Sequence, residues 1–176
     1  MAQYLINDDA SLDASTRAAI RELLEIAFDG DFSDADADHA AGGIRVLAVD
    51  GDTIIGHAAL VGRQMQVNGV PVTVGYVEGV AIHPDRQGQG HGKALMQILG
   101  ARAQETYAVT MLSTGEQGFY EKLGWVRFLG ESYVTENEQM ARTADEDEGL
   151  MVLTADVSWH TRDCIVVCDW RAGDVW

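Results

Sequence analysis

An apolar strand passes into a helix through a six-residue turn, half of it glycine, near the middle of this chain. The strand side reads Val77-Glu78-Gly79-Val80-Ala81-Ile82, the turn Gln87-Gly88-Gln89-Gly90-His91-Gly92, and the helix carries Leu95, Ile98 and Leu99 at helical spacing. Glycines let a backbone approach a ligand closely, and the first N–H groups of a helix have no partner inside it. Together with the positive helix end they make a phosphate site. The spacing excludes two familiar phosphate loops. No Gly-Lys-Ser/Thr triplet follows, so the turn is not a P-loop. A dinucleotide fingerprint places its third glycine three residues after the second and follows the first strand of its unit, whereas these glycines alternate at mid-chain. A phosphate cradle is therefore expected here, in preference to a plain flexible loop.

The segments around the junction set the fold class. Ile20, Leu23, Leu24, Ala27 and Phe28 form a helical stripe, so a helix is expected over about Asp13–Phe28, with Asp13 as N-cap and Gly30 as stop. Ile44–Val49 and Thr53–Val61 read as strands around Asp50-Gly51-Asp52, and Asn68-Gly69 marks a second hairpin between Met65–Val67 and the long strand Val70–Ile82. After the helix at about 91–105 come a strand at Ala108–Leu112, a short helix around Gln117–Leu123, and strands at Trp125–Phe128, Leu150–Leu153 and Cys164–Trp170. Residues 131–148 are polar and acidic and read as a loop. Antiparallel hairpins leading into a βαβ crossover give an α/β (α+β) class, with a mixed, mainly antiparallel sheet and helices on both faces. A chain of 176 residues is expected to form one domain over 1–176.

Charge narrows the partners. Twelve Lys and Arg against 28 Asp and Glu leave a net charge of −16. Such a surface repels nucleic acid and anionic membrane and attracts cations. No apolar run approaches the ~20 residues of a membrane span, and the first residues lack the basic-then-apolar pattern of a signal. Cys164 and Cys168 read as buried free thiols of a reducing, cytoplasmic protein. His39, His57, His83, His91 and His160 show no metal-ligand spacing, so no metal is expected. His83, before Pro84, is expected to cap the strand end. Two acidic blocks stand out, at Asp29, Asp31, Asp34, Asp36 and Asp38 and at Asp145–Glu148.

The strand–QGQGHG–helix junction, together with Phe119-Tyr120-Glu121-Lys122-Leu123-Gly124-Trp125, resembles the GNAT acetyltransferase superfamily. Its motif, Q/R-x-x-G-x-G/A, is met by Gln87 through Gly92. Within it, Gly30-Asp31-Phe32, Gly75-Tyr76-Val77-Glu78 and the segment Cys168–Trp176 look like the aminoglycoside 2'-N-acetyltransferases. The resemblance implies an acetyl-CoA-dependent enzyme, a homodimer, that acetylates a cationic aminoglycoside by direct amine attack and so confers resistance. Acetyl-CoA would lie along Val80, Ala81 and Ile82, with its pyrophosphate over Gln87, Gly88, Gln89, Gly90, His91, Gly92 and Lys93. A bulge at Gly79-Val80 would free backbone groups for the pantetheine. Glu78 would act as base, Tyr120 as proton donor to the sulfur, and the Val80 N–H as oxyanion donor. Asp31, Asp36, Glu78, Gly79, Ser113, Asp147, Asp174 and Trp176 would meet the sugar rings. Relatives carry an aromatic residue where this chain has Ala37, which bears on drug preference. The alternatives are an acetyltransferase for another cationic amine, a polyamine or peptide, and a non-catalytic module that sequesters acyl-CoA or drug.

Overall fold

The computed structural model describes all of residues 1–176 apart from the side chain of His160. The chain divides into two compact units, Met1–Val61 with Val77–Arg102, and Gly62–Tyr76 with Ala103–Trp176. Two long strands, β3 (Thr53–Val67) and β4 (Val70–Ile82), run through both.

The first unit opens on a strand, β1 (Gln3–Asp8), which pairs antiparallel with β2 (Ile44–Asp50), and β2 pairs with β3. The sequence reading placed no strand before the first helix. β1 alternates poorly and leaves Leu5 and Ile6 exposed, so it carries little period-2 signal. Helix α1 (Ala14–Ala27) begins where expected, because the Asp13 carboxylate accepts the Thr16 N–H at 2.7 Å. It ends at Ala27, and the chain turns away through Asp29 and Gly30, both at positive φ, with the Gly30 N–H bonding the Glu25 carbonyl. Ile20 and Leu24 of α1 pack with Phe32, Leu47 and Ala81. Ala48, the next residue after Leu47, faces the other way. A Cβ built on Gly56, its partner in β3, would lie 3.2 Å from Leu95 of α3 (His91–Thr106). Neighbouring strand residues point to opposite faces, so α1 and α3 cover opposite faces of this sheet, as expected. The acidic block at 34–38 forms a short helix, α2 (Asp34–His39).

The second unit holds the order β6-β9-β5-β4-β3-β10-β7-β8, with β5 (Val109–Ser113), β6 (Val126–Arg127), β7 (Glu131–Glu136), β8 (Gln139–Arg142), β9 (Leu150–Thr154) and β10 (Ile165–Asp169). Antiparallel pairing dominates, with parallel pairs at β4/β5 and β7/β10. The β4–α3–β5 crossover is the expected βαβ unit. Asn68 and Gly69 both take positive φ, as a tight hairpin turn between β3 and β4 requires. Residues 131–148 are not a loop: β7 and β8 form a hairpin around Asn137 and Glu138, both at positive φ, and Ala144–Gly149 coil into a 3-10 segment. The hairpin stays unseen in sequence because every residue of β8 is exposed, which leaves no apolar face to alternate. Cys164 and Cys168 are buried and free.

Candidate active site

The first unit supplies the strand edge and the glycine turn. Gly88 and Gly90 take φ of +72° and +87°, and a side chain there would meet no atom within 4 Å. These glycines serve conformation rather than space. The first α3 bond runs from the Ala94 N–H to the Gly90 carbonyl, so the amides of His91, Gly92 and Lys93 start the helix without a partner inside it. The Gln87 N–H bonds the Pro84 carbonyl and its side-chain amide bonds the Ile82 carbonyl. Gln89 donates to the Asp85 carbonyl. His83 caps the Pro84–Arg86 turn by accepting the Asp85 N–H. His91 is held by Tyr4, whose hydroxyl lies 2.9 Å from its Nδ1.

Immediately before this turn, Glu78, Gly79 and Val80 are each half-buried in β4. Gly79 takes φ of +57°, outside the extended region, so the strand kinks where a bulge was expected. A Cβ there would sit 3.4 Å from the His57 ring and 3.5 Å from Leu24. In the same unit Asp31 is exposed after α1. Asp36 closes a capping box, its Oδ2 accepting from the Ser33 N–H at 2.9 Å and the Ser33 hydroxyl at 2.7 Å. Its first job is thus to start α2, and Ala37 packs on the α1 core beside it.

The second unit carries a buried tyrosine and an acidic surface. Tyr120, on α4 (Gln117–Glu121), packs edge-on against Trp125 and Phe119, with ring centroids 6.0 and 5.0 Å away. Burial, with the Glu116 charge adding to it, pushes its pKa up to about 12, so the phenol is protonated throughout the neutral range. Ser113 is exposed at the end of β5, opposite Leu150. Asp147 is committed inside the protein: one oxygen accepts the Ser132 N–H at 2.9 Å and hydroxyl at 2.7 Å, and Arg142 grips both oxygens. Burial raises its pKa, but these bonds outweigh it and leave the carboxyl below its ordinary value.

Glu146 behaves differently from its neighbour. It is largely exposed as a residue, yet partial desolvation and the nearby charges of Asp174 and Asp145 hold its carboxyl above the ordinary value. Sequence alone did not separate these adjacent acids. Trp176 is buried, its indole N–H bonds Thr143 Oγ1 at 3.0 Å, and the Arg63 guanidinium lies 5.8 Å from its ring centre. Arg63 also donates to the Val175 carbonyl and stacks 5.0 Å from Tyr76. These contacts tie the last residues to β3 and β4.

The kinked strand leads into a glycine turn and a helix start whose amides suit a phosphate group. The family model described as "Acetyltransferase (GNAT) domain" matches residues 11–128. The chain belongs to the GNAT acetyltransferases. A curated relative, "Aminoglycoside 2'-N-acetyltransferase" of Mycolicibacterium fortuitum, is 36% identical over 173 residues, 95% of this chain and 88% of that protein. Among solved structures, the Escherichia coli GNAT family N-acetyltransferase YhbS in complex with CoA matches with a TM-score of 0.66 at 18% identity, covering 96% of this chain and 91% of that one. A Brucella melitensis GNAT family acetyltransferase in complex with acetyl-CoA matches with a TM-score of 0.60 at 20% identity, covering 88% and 89%. The last two show the fold.

GNAT acetyltransferases use acetyl-CoA, and the residues present fit it. The open-sided glycines and the unpartnered amides at the start of α3 suit a pyrophosphate. No helix is long and apolar enough to cross a membrane among the described residues.

Proposed function

We propose that this GNAT acetyltransferase acetylates the 2'-amine of aminoglycosides in a ternary complex and thereby protects against them. The observation that carries this reading is the 36% identical aminoglycoside 2'-N-acetyltransferase, whose match spans 95% of the chain. The acceptor side agrees in charge. A polycation suits a protein of net charge −16 in which Glu146 lies in the field of Asp174 and Asp145. Asp31, Ser113 and Asp174 are exposed, and Glu78 and Gly79 half-buried. Asp36 and Asp147 are held by the protein's own donors, so they shape the site through α2 and the β7–β8 hairpin. Within the acidic run, Glu146 takes the place of Asp147 as the expected ammonium partner.

The thioester supplies the acetyl group. Glu78 accepts a proton from the substrate ammonium, directly or through water, and leaves a neutral amine to attack. The Val80 N–H donates to the carbonyl oxygen as its charge develops. The nitrogen–carbon bond would form as the carbon–sulfur bond breaks, with Tyr120 giving its proton to the departing sulfur and regaining one from solvent as the attacking nitrogen sheds its extra proton to solvent. The raised pKa of Tyr120 keeps its proton available at neutral pH. We place the pantetheine along Val80, Ala81 and Ile82, and the pyrophosphate over Gly88 to Lys93. The same reading takes the protein as a homodimer, and as cytoplasmic in keeping with two buried free thiols.

Two measurements test this. Tobramycin carries an amine at the 2' position and kanamycin A a hydroxyl. CoA release is expected with the first and not by 2' transfer with the second, with NMR of the product placing the acetyl group. Turnover of a polyamine or peptide amine in preference to tobramycin sinks the aminoglycoside reading. For the donor side, Gly90→Val forces a branched residue to φ +87°. At about 1–2 kcal/mol of strain it should raise the KM for acetyl-CoA roughly tenfold and leave that of the amine unchanged. Equal losses for both substrates would remove the turn from the cofactor site.

A further inference from the structure

Beneath the kink in β4 runs a chain of buried polar groups to which the mechanism gives no task. Asp9, Arg45 and His57 are all buried, His57 completely. Asp9 Oδ1 accepts from Arg45 Nε at 2.7 Å and from Arg17 Nη1 at 3.0 Å, and Oδ2 accepts the Gly42 N–H at 3.1 Å. Arg45 Nη1 lies 3.1 Å from His57 Nε2, and His57 Nδ1 lies 2.7 Å from the Gly79 carbonyl oxygen. A guanidinium only donates, so Nε2 must accept. A carbonyl only accepts, so Nδ1 must donate. The imidazole is therefore neutral with its proton on Nδ1, and its tautomer is set from both ends.

The Gly79 carbonyl and the Val80 N–H are two ends of one peptide unit. The chain has no cis peptide bond, and a trans unit is planar, so these two bonds point in opposite directions. Fixing the carbonyl on His57 fixes where the Val80 N–H points, away from the imidazole. With φ at +57°, Gly79 has left the extended geometry that would otherwise set this orientation. Accepting a hydrogen bond at the carbonyl also polarises the unit and strengthens its N–H as a donor.

We infer that His57 is a positioning residue for acetyl transfer: its Nδ1–H holds the Gly79 carbonyl so that the Val80 N–H is aimed at the acetyl oxygen. Arg45, oriented by Asp9, holds the His57 tautomer. This rests on the oxyanion role proposed for Val80. His57 itself touches neither the amine nor the thioester.

The test compares His57→Leu with His57→Asn in turnover of tobramycin. Both remove the Nε2 acceptor and leave Arg45 in the same state, but the Asn side-chain amide keeps a donor near the Nδ1 position. The comparison therefore isolates the bond to Gly79. Misaiming an oxyanion donor should lower kcat of the Leu variant by roughly 30-fold, with KM for acetyl-CoA within about threefold, and Asn should restore most of it. Equal kcat in the two variants, whether both low or both normal, overturns the inference. Nitrogen-15 NMR of the unmodified protein does not depend on either variant folding. An Nδ1-protonated, Nε2-bare imidazole for His57 near neutral pH supports the inference, and the opposite tautomer overturns it. If kcat is unchanged in the Leu variant, the Val80 amide resonance tells which part failed. A shifted resonance means that Val80 is not the oxyanion donor, and an unshifted one means that His57 does not hold the peptide.

Discussion

Glu78→Gln should lower kcat by about two to four orders of magnitude while the KM for acetyl-CoA stays nearly constant, the range for loss of a positioned general base. The substitution keeps the shape of the side chain and its place in β4 beside the Gly79 kink, and removes the charge and the basic oxygen together. An amine acceptor reaches the site mostly as its ammonium at neutral pH, and an ammonium has no lone pair with which to attack. Without Glu78 the reaction must draw on the small fraction of substrate already deprotonated. The residual rate of the variant should therefore climb with pH towards the substrate's own pKa, about tenfold per pH unit. The wild type should level off earlier. A variant with wild-type kcat, or one whose rate shows no alkaline recovery, would remove Glu78 from proton transfer and leave it only a binding carboxylate.

The strand kink and the glycine turn, which lie in one continuous segment, were legible in the sequence. Glu78, Gly79 and the glycine turn occupy fifteen consecutive positions, and the residues that make the kink and the cradle are the ones whose backbone freedom those shapes need. The engagement of the Gln87 N–H was not legible, because it depends on a tight Pro84–Arg86 turn that takes it up. The division of labour within the acidic run was hidden for a different reason. Asp145, Glu146 and Asp147 are chemically alike, and only the β7–β8 hairpin, through Ser132 and Arg142, decides that Asp147 is occupied and Glu146 is not. The Asp9–Arg45–His57 chain spans 48 residues, from the short turn that follows β1 to the middle of β3, counted from position 9 to position 57. Arg45 and His57 lie inside the apolar runs of β2 and β3, and a polar residue within each run was the one signal that could have pointed to the chain.

Acid should destabilise this protein well before its carboxylates titrate. Burial of His57, reinforced by the positive charge of Arg45, lowers its pKa to about 4, although the Gly79 carbonyl and the Asp9 charge act the other way. In the unfolded chain the same imidazole titrates near its ordinary 6.5. Between those values the unfolded state binds a proton that the folded state does not. The contribution of His57 is therefore fully present above pH about 6.5, declines as pH falls through the window, and is exhausted at about 4. A separation of that size corresponds to about 3 kcal/mol. Asp9 adds a loss in the same direction but at lower pH. Burial pushes its carboxyl up, while the Gly42 N–H, Arg17 and Arg45 more than offset that and leave it below its ordinary value. Urea unfolding at pH 7 and pH 4.5 should show the His57 term as a drop in midpoint, and His57→Asn, which has no titrating group there, should lose less over the same interval. If the variant's midpoint falls as steeply as the wild type's, the acid sensitivity belongs to other groups and His57 is not the buried neutral base that its two hydrogen bonds require.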